Sequence, residues 1–190
     1  MQQEQQFDQL AIISEMIQTA RKEFNENGTI FLMWGWAVTV ASLAQFVLLQ
    51  MNNPYNSWPW MLMPLAAIAQ FFIMRQERRN EKVKTHVGKV IGRLWLIVGL
   101  SIGLTIVMSQ FLEKNTYPIL LMLYAIGTFV TGSALKVNAL VYGAICCWIM
   151  SIASYFIDFE YQLLLLAAAM IVSYIIPGYV LSARYKKANG

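Results

Sequence analysis

Residues 75–93 read RQERRNEKVKTHVGKVIGR, and the next nineteen residues, 94–112, read LWLIVGLSIGLTIVMSQFL. The first stretch carries seven of the fourteen Lys and Arg residues of the chain, and the second carries no acid or base. A helix needs about 20 consecutive apolar residues to cross the hydrocarbon core of a bilayer. A basic segment followed by an uncharged apolar segment is typical of a transmembrane helix that leaves the cytoplasm.

Six apolar windows of this kind occur in the 190 residues, and none of them contains Asp, Glu, Lys or Arg. They are residues 30–51, 58–74, 94–112, 117–135, 137–157 and 161–181. The helices of a soluble bundle would each carry a charged face, and these windows carry none. The sequence therefore predicts an all-α integral membrane bundle of six transmembrane helices, which occupies residues 29–183.

Charge divides the gaps between these spans into two sides of a membrane. Thirteen of the fourteen bases fall before the first span, in segment 75–93, at Lys136 or in the C-terminal tail, and these places all share one side. The other side carries Lys114 as its one base, together with the acids Asp158 and Glu160. Because short loops rich in Lys and Arg stay in the cytoplasm, both termini are predicted to be cytoplasmic. Orientation thus accounts for the positive net charge, and no nucleic acid is expected as a partner.

The N-terminal segment, residues 1–28, is polar and carries five acids against two bases. Apolar residues recur every three or four positions over 7–24, which predicts an amphipathic cytoplasmic helix. The segment lacks the basic start and apolar core of a cleavable signal peptide, so we expect the first span to be an uncleaved anchor. We expect the acidic helix to pack on the basic loop 75–93, within one subunit or across a dimer, or else to be loosely tethered at the interface. A basic cytoplasmic tail, 184–190, ends the chain.

Three features bear on how the spans pack. The apolar step of four residues that ends segment 75–93 predicts that this segment continues as helix into the third span. Gly99 and Gly103 have the spacing that lets two membrane helices approach closely, either in a dimer or within one subunit. Pro177 has no N–H to donate to the carbonyl of Ser173, which predicts a kink near the cytoplasmic end of the sixth span.

The predicted spans contain no Asp, Glu, Lys, Arg or His. Intramembrane acids, bases and histidines mark proton relays and ion pathways, and none is present. His86 lies in the basic loop without a catalytic neighbour, and the adjacent Cys146 and Cys147 lack metal-ligand spacing. No phosphate loop, metalloprotease motif or nucleophile elbow occurs. The sequence therefore predicts that the protein is not an enzyme, with no catalytic residue, no metal site and no cofactor.

A small molecule that binds inside the bundle would have to use neutral polar groups. The candidate ligand-lining residues are Gln45, Gln70, Tyr124, Thr128, Thr131, Asn138, Ser173, Tyr174 and Pro177. Each has a structural alternative, since Ser and Thr commonly bond their own helix, and Gln and Asn near span ends commonly reach the headgroups. Such a set suits a neutral or lipid-like solute and does not suggest proton or sodium coupling.

Three stretches of the sequence resemble a family of small six-span bacterial inner-membrane proteins. They are Trp34-Gly35-Trp36 after the cytoplasmic helix, GTFVTG at 127–132, and the stretch 161–179. The resemblance runs from the N-terminal helix to the end of the chain. It implies a multi-pass protein of the bacterial cytoplasmic membrane and supplies no functional residues.

Two classes of function follow from these observations. The first is a non-enzymatic interaction, scaffold or regulatory protein that acts through its cytoplasmic face, with a homodimer or a cytoplasmic protein as partner. The second is a carrier or channel for a small neutral or lipid-like solute. Membrane lipid is an expected partner in both classes.

Overall fold

A computed structural model of the chain describes residues 28–80 and 86–189, together with the side chains of 28–75 and 87–183. The predicted helix of residues 1–28 therefore lies outside the described residues, apart from Gly28. Residues 81–85 of the basic loop and the side chains of the tail 184–190 lie outside them as well.

The described residues fold as helices without a strand, so the predicted all-α class is confirmed. In chain order the α-helices are α1 (Thr29–Gln50), α2 (Leu62–Asn80), α3 (His86–Val107), α4 (Ser109–Leu112), α5 (Thr116–Ala134), α6 (Asn138–Ser154), α7 (Phe159–Met170) and α8 (Ile176–Asn189). Short 3-10 turns occupy Trp58–Met61 and Glu113–Asn115, and a π-helical turn, Ile171–Ile175, joins α7 to α8.

Within residues 28–80 and 86–189, four helical stretches are long and apolar enough to cross a membrane, and they match the predicted first, third, fourth and sixth spans. They are Thr29–Gln50, Val87–Val107, Ser109–Ala134 and Phe159–Ala183. The second and fifth predicted spans are shorter as regular helices. Window 58–74 begins in a 3-10 turn that contains Pro59, so α2 starts at Leu62. Window 137–157 ends in the turn after Ser154, which leaves α6 with 17 residues, or about 26 Å of helix.

The helix that corresponds to the third predicted span begins inside the predicted basic loop. Helix α3 starts at His86 and ends at Val107, whereas the apolar window ran over 94–112. Ile91 is buried while Lys89 and Arg93 on the same helix are exposed, so the predicted helical continuation is confirmed for this part of the loop. The helix then stops at Met108, and the short helix α4 follows.

The glycine pair of α3 faces outward. A Cβ placed on Gly99 or Gly103 would meet no atom of the described residues within 4 Å. The pair therefore makes no close packing contact with the other described residues, and its role in a dimer stays a prediction.

The sixth predicted span is interrupted where the sequence places its proline. A π-helical turn, Ile171–Ile175, lies directly before Pro177. Because Pro177 cannot donate to the carbonyl of Ser173, the α-helical bond at this point is missing, and the local backbone widens to the π pattern. The structure has a π turn at this position, and the predicted kink itself stays a prediction.

Helix α1 runs antiparallel to the last helical stretch. At one end, Gln50 Nε2 donates a 2.7 Å hydrogen bond to Glu160 of α7. At the other end, Gly28 has a φ of +68°, and a Cβ there would collide with the carbonyl oxygen of Gly178 in α8. Glycine is required at position 28 for both reasons. We call these two ends of the bundle the Gln50 end and the Gly28 end.

The centre of the bundle is made by α1, α5, α6 and α7. Helices α5 and α6 form a hairpin with contacts along its length, and α1 packs against α7 and the π turn. The fully buried side chains of this centre include Leu121, Leu140, Leu163, Leu166 and Met170. Helix α2 packs on α1, whereas α3 packs on α5, so these two consecutive helices contact different parts of the centre.

Candidate functional site

The nine predicted ligand-lining residues do not form one site. Tyr124, Thr128, Thr131 and Tyr174 lie close to one another, linked through Trp95 and the aromatic contacts described next. Of the other five, Ser173 lies beside Tyr174 in the π turn and Pro177 lies just after that turn, whereas Gln45, Gln70 and Asn138 lie on α1, α2 and α6.

An aromatic cluster surrounds Tyr174, which is 3% exposed. The centroid of its ring lies 5.6 Å from that of Phe31, 5.8 Å from that of Tyr124 and 6.4 Å from that of Trp95. The Tyr124 and Trp95 rings meet Tyr174 nearly at right angles, at 84° and 79°, the edge-to-face arrangement that aromatic quadrupoles favour. We call Phe31, Trp95, Tyr124 and Tyr174 the Tyr174 cluster. It joins α1, α3, α5 and the π turn.

Two hydroxyl groups in this region have no hydrogen-bond partner among the described residues. They are the Oγ1 of Thr128 and the phenolic oxygen of Tyr174, and both are buried. The two groups lie near each other but do not meet hydrogen-bond geometry. A buried hydroxyl without a partner costs about 1–3 kcal/mol. These two oxygens are therefore the candidate polar contacts for a molecule bound at this place.

Thr131 accepts a hydrogen bond that joins α3 to α5. Trp95 Nε1 donates a 3.0 Å hydrogen bond to Thr131 Oγ1, which in turn donates to the carbonyl of Gly127 at 2.7 Å. The Trp95 ring lies against Gly127, where a Cβ would come within 3.2 Å of the indole. The first glycine of the GTFVTG stretch therefore makes room for this indole.

A second group of polar and aromatic residues lies toward the Gln50 end. Gln45 Oε1 accepts hydrogen bonds from Trp60 Nε1 at 2.6 Å and from the Tyr117 hydroxyl at 2.7 Å. The Trp60 and Tyr117 rings are stacked with centroids 6.2 Å apart, and Phe159 lies 5.2 Å from Tyr117. Gln45 therefore ties α1 to the first 3-10 turn and to α5.

The remaining candidates are also structural or peripheral. Gln70 accepts a 2.7 Å hydrogen bond from Trp34 Nε1, which joins α2 to α1. Ser173 Oγ donates at 2.7 Å to the carbonyl of Gly143, which joins the π turn to α6. Pro177 is fully buried, and Asn138 is the exposed first residue of α6.

A cavity that the sequence analysis did not identify opens at the Gln50 end. Its volume is about 720 Å³, and it is lined by Leu49, Lys114 and the seven residues 155–161. We call it the Lys114 cavity. Three different segments form it: the end of α1, the 3-10 turn before α5, and the connection between α6 and α7 with the first turn of α7.

Charged groups of both signs line the Lys114 cavity. Lys114 comes from the 3-10 turn, Asp158 is the N-cap residue of α7, and Glu160 lies in the first turn of α7. The Asp158 carboxylate makes no capping hydrogen bond. Among the described side chains, no ion pair joins Lys114 to either acid.

One signal for this cavity was present in the sequence. The charge pattern put Lys114, Asp158 and Glu160 on the same side of the predicted membrane. It did not show that the turn before α5 and the start of α7 come together, because that contact depends on how the helices are arranged around α1.

Metal-ligating residues are not grouped in the described part of the chain, where no three His, Cys, Asp or Glu could hold one ion. Both cysteines are free. The Cys147 thiol is buried and donates to the carbonyl of Leu121 at 3.4 Å, whereas Cys146 is half-buried. The adjacent thiols therefore lie on different faces of α6.

Comparison with protein-family models, with curated proteins and with solved structures finds no match for this chain. The chemistry and geometry of its own residues therefore carry the functional conclusions.

Proposed function

We propose that this chain is a six-span protein of the bacterial cytoplasmic membrane, with the Gly28 end and both termini in the cytoplasm. In addition to the four long apolar stretches, α2 and α6 act as the two shorter spans, with 19 and 17 residues. The charges support this orientation, because Arg75, Lys89 and Arg93 lie in the halves of α2 and α3 nearer the Gly28 end, whereas Lys114 lies at the Gln50 end.

Within that frame the protein acts as a non-enzymatic interaction, scaffold or regulatory protein through its cytoplasmic face. The observation that carries this proposal is that polar groups between the helices hydrogen-bond to other parts of the bundle. The indoles of Trp34, Trp60 and Trp95 each donate to a polar side chain of a neighbouring helix. Ser173 likewise donates to a backbone carbonyl of α6. These groups fix the helices to one another, and we infer that a protein partner binds the charged surface at the Gly28 end.

The positions of α2 and α3 also support the Gly28 end as the surface that binds a partner. Helix α2 packs on α1 and α3 packs on α5, and Arg75, Lys89 and Arg93 lie in the halves of these two helices nearer the Gly28 end. Lys89 and Arg93 are exposed on the described part of the basic loop. Their charge complements that of the acidic segment 1–28, which is joined to the same end through Gly28. The acidic segment therefore covers the basic loop or competes with an acidic partner for it.

Zero-length carbodiimide cross-linking of the full chain in native membranes tests this contact. We expect cross-linked peptides that join acids of residues 1–26 to lysines of the loop 75–93. The double variant Lys89→Glu with Arg93→Glu should lose the cross-links to position 89 and weaken the others, and adding Glu15→Lys with Glu23→Lys should restore cross-linking between the two segments. Lys114→Gln, at the opposite end, is the matched control and should change nothing. A wild-type protein without such cross-links would contradict the proposed contact.

Deletion of residues 2–26 tests the role itself. The deleted protein should keep its spans folded and its place in the membrane, while a specific complex with its partner, whether a second copy or a cytoplasmic protein, is lost. A complex that survives the deletion and the charge reversals would exclude the cytoplasmic face as the site of action.

A carrier of a neutral or lipid-like solute is the second candidate, and one observation favours it. The buried hydroxyls of Thr128 and Tyr174 have no partner among the described residues, and Tyr174 lies in the π turn. π turns inside α-helices occur frequently at functional sites. A solute that hydrogen-bonds to both hydroxyls would satisfy them.

Native mass spectrometry of the purified protein distinguishes this candidate. If a solute binds there, a bound non-protein mass should be present in the wild type and lost in Thr128→Val with Tyr174→Phe. Ser42→Ala is the matched control, because the Ser42 hydroxyl is buried and bonds only within α1. If all three proteins carry the same bound mass, or none carries one, the Tyr174 cluster is excluded as a solute site.

A further inference from the structure

We propose that the Lys114 cavity binds a phosphoethanolamine group, the zwitterion that carries a primary ammonium and a phosphate. This chemistry occurs in the headgroup of phosphatidylethanolamine and in free O-phosphoethanolamine. The inference concerns the Gln50 end, opposite to the proposed cytoplasmic surface, and assigns a ligand to a cavity that the interaction role does not use.

The charges of the cavity match both ends of this ligand. The Lys114 ammonium offers three donors to a phosphate, and the Asp158 and Glu160 carboxylates accept from an ammonium. Because the two acids outnumber the base, a purely anionic ligand would meet net repulsion. A ligand that carries both charges can pair with all three groups. A quaternary ammonium has no N–H to donate, so the carboxylates favour a primary ammonium.

A hydrogen bond orients the Glu160 carboxylate, and both acids keep carboxylate oxygens available as acceptors. Glu160 Oε2 accepts a 2.7 Å hydrogen bond from Gln50 Nε2, which orients the carboxylate and leaves its other oxygen without a hydrogen-bond partner among the described residues. The backbone carbonyl of Asp158 accepts from the N–H groups of Tyr161 and Gln162 at 3.0 and 3.2 Å. These bonds fix the start of α7, while the Asp158 carboxylate, which does not cap the helix, remains available.

The size and the apolar lining of the cavity favour the lipid as the source of the ligand. Its volume of about 720 Å³ exceeds what a headgroup alone requires and falls in the usual range for ligand sites. Leu49 and Phe156 also line it, and Phe156 is 85% exposed. Tyr155 and Tyr161 lie on the same rim, as aromatic residues do where a protein meets the membrane interface. The headgroup would occupy the charged part, with the glycerol and upper acyl region against the apolar part.

Native mass spectrometry of the full chain in an uncharged detergent tests this site by titration with three lipids. These are phosphatidylethanolamine, phosphatidylcholine, which has the same charges without an N–H donor, and phosphatidylglycerol, which has only the anion. We expect phosphatidylethanolamine to bind more tightly than either of the others, by up to about fivefold for each charge pair that the other lipid lacks or weakens, since an exposed charge pair contributes up to about 1 kcal/mol. Equal affinities for the three lipids would overturn the proposal.

Single substitutions locate the binding within the cavity. Lys114→Gln, Asp158→Asn and Glu160→Gln should each weaken phosphatidylethanolamine binding by up to about fivefold, whereas Lys114→Arg should keep it. Glu113→Gln is the matched control, because this acid is adjacent to Lys114 but does not line the cavity. Thermal unfolding in the same detergent shows whether each variant is folded. If Lys114→Gln does not fold, Glu160→Gln carries the test. Folded cavity variants that bind as well as Glu113→Gln would overturn the assignment.

Free O-phosphoethanolamine distinguishes the two sources of the zwitterion. Displacement of the lipid by millimolar O-phosphoethanolamine would show that the polar group alone occupies the cavity, and failure to displace it would assign the site to the lipid. The lipid assignment rests on the proposed membrane placement, which thiol labelling from the two sides of the membrane tests separately. If the labelling contradicts the proposed topology, the lipid titrations in detergent still test the cavity, because they do not depend on topology.

Discussion

Gln45 on α1 and Tyr117 on α5, 72 residues apart in sequence, are joined by a 2.7 Å hydrogen bond from the phenolic hydroxyl to the amide oxygen. The same oxygen accepts from Trp60 Nε1, so one 4% exposed carboxamide serves two aromatic donors. Polar bonds of this kind between helices contribute about 0.6 kcal/mol on average in membrane proteins. Their loss costs more when a donor is left buried and unpaired.

Replacement of this carboxamide should therefore be destabilising. We expect Gln45→Leu to lower the free energy of unfolding by about 1–3 kcal/mol, because it removes the acceptor of two donors. Tyr117→Phe should cost less, since the bond from Trp60 to Gln45 remains. Unfolding in mixed micelles with increasing sodium dodecyl sulfate, followed by tryptophan fluorescence, measures both. Equal stability of Gln45→Leu and the wild type would show that these bonds are not formed in the folded protein.

Two threonines one turn apart on α5 should respond in opposite ways to loss of the hydroxyl. Thr131→Val removes the acceptor of Trp95 and should destabilise the protein by about 1 kcal/mol. Thr128→Val removes a buried hydroxyl without a partner and should be neutral or stabilising. The same unfolding measurement compares them, and because the two variants make the same chemical change, each is the control for the other. A larger loss for Thr128→Val would indicate that its hydroxyl has a partner in the folded protein.

Glycine substitutions should separate packed from open helix faces. A Cβ on Gly143 would lie 2.8 Å from the Cα of Ser173, whereas one on Gly99 would meet nothing within 4 Å. We expect Gly143→Ala to cost about 1–3 kcal/mol, because backbone atoms of the π turn must move. Gly99→Ala should leave the stability of the subunit unchanged. If Gly99→Ala instead weakens a dimer measured by cross-linking, the outward pair on α3 forms an interface between copies.

Thiol labelling tests the proposed orientation. Lys114→Cys should react with a membrane-impermeant maleimide on intact spheroplasts, and Lys136→Cys should react only after the membrane is permeabilised. The background from Cys146 and Cys147 is measured with the otherwise unchanged chain. The reverse labelling would invert the topology and place the acidic N-terminal segment outside.

The sequence predicted the helical class and most helix positions because both depend on local patterns. The apolar window 117–135 became the helix Thr116–Ala134, and 30–51 became Thr29–Gln50. The ends were less accurate where apolar composition and helical geometry differ. Residues 58–61 are apolar but form a 3-10 turn that contains a proline, and the third helix begins among charged residues at His86.

The grouping of side chains was not predictable in the same way. A span that is apolar around its whole circumference gives no signal for the direction in which one side chain points. Gln45 and Gln70 are equivalent by that criterion, yet one accepts from Trp60 and Tyr117, and the other from Trp34. The rotation of each helix is decided by packing against distant helices. For this reason the nine candidate residues were identified by type alone, and four of them proved to lie together.

The orientation of α8 depends on the number of residues in the π turn as well as on their identity. A π turn holds one residue more than an α turn, so α8 is rotated by about 100° relative to a continuous α-helix. That rotation is what brings Gly178 against Leu32. A substitution within Ile171–Ile175 leaves this phase intact, whereas deletion of a single residue there would turn Gly178 away and direct a different face of α8 toward α1. The number of residues in this turn is thus a constraint separate from their identity.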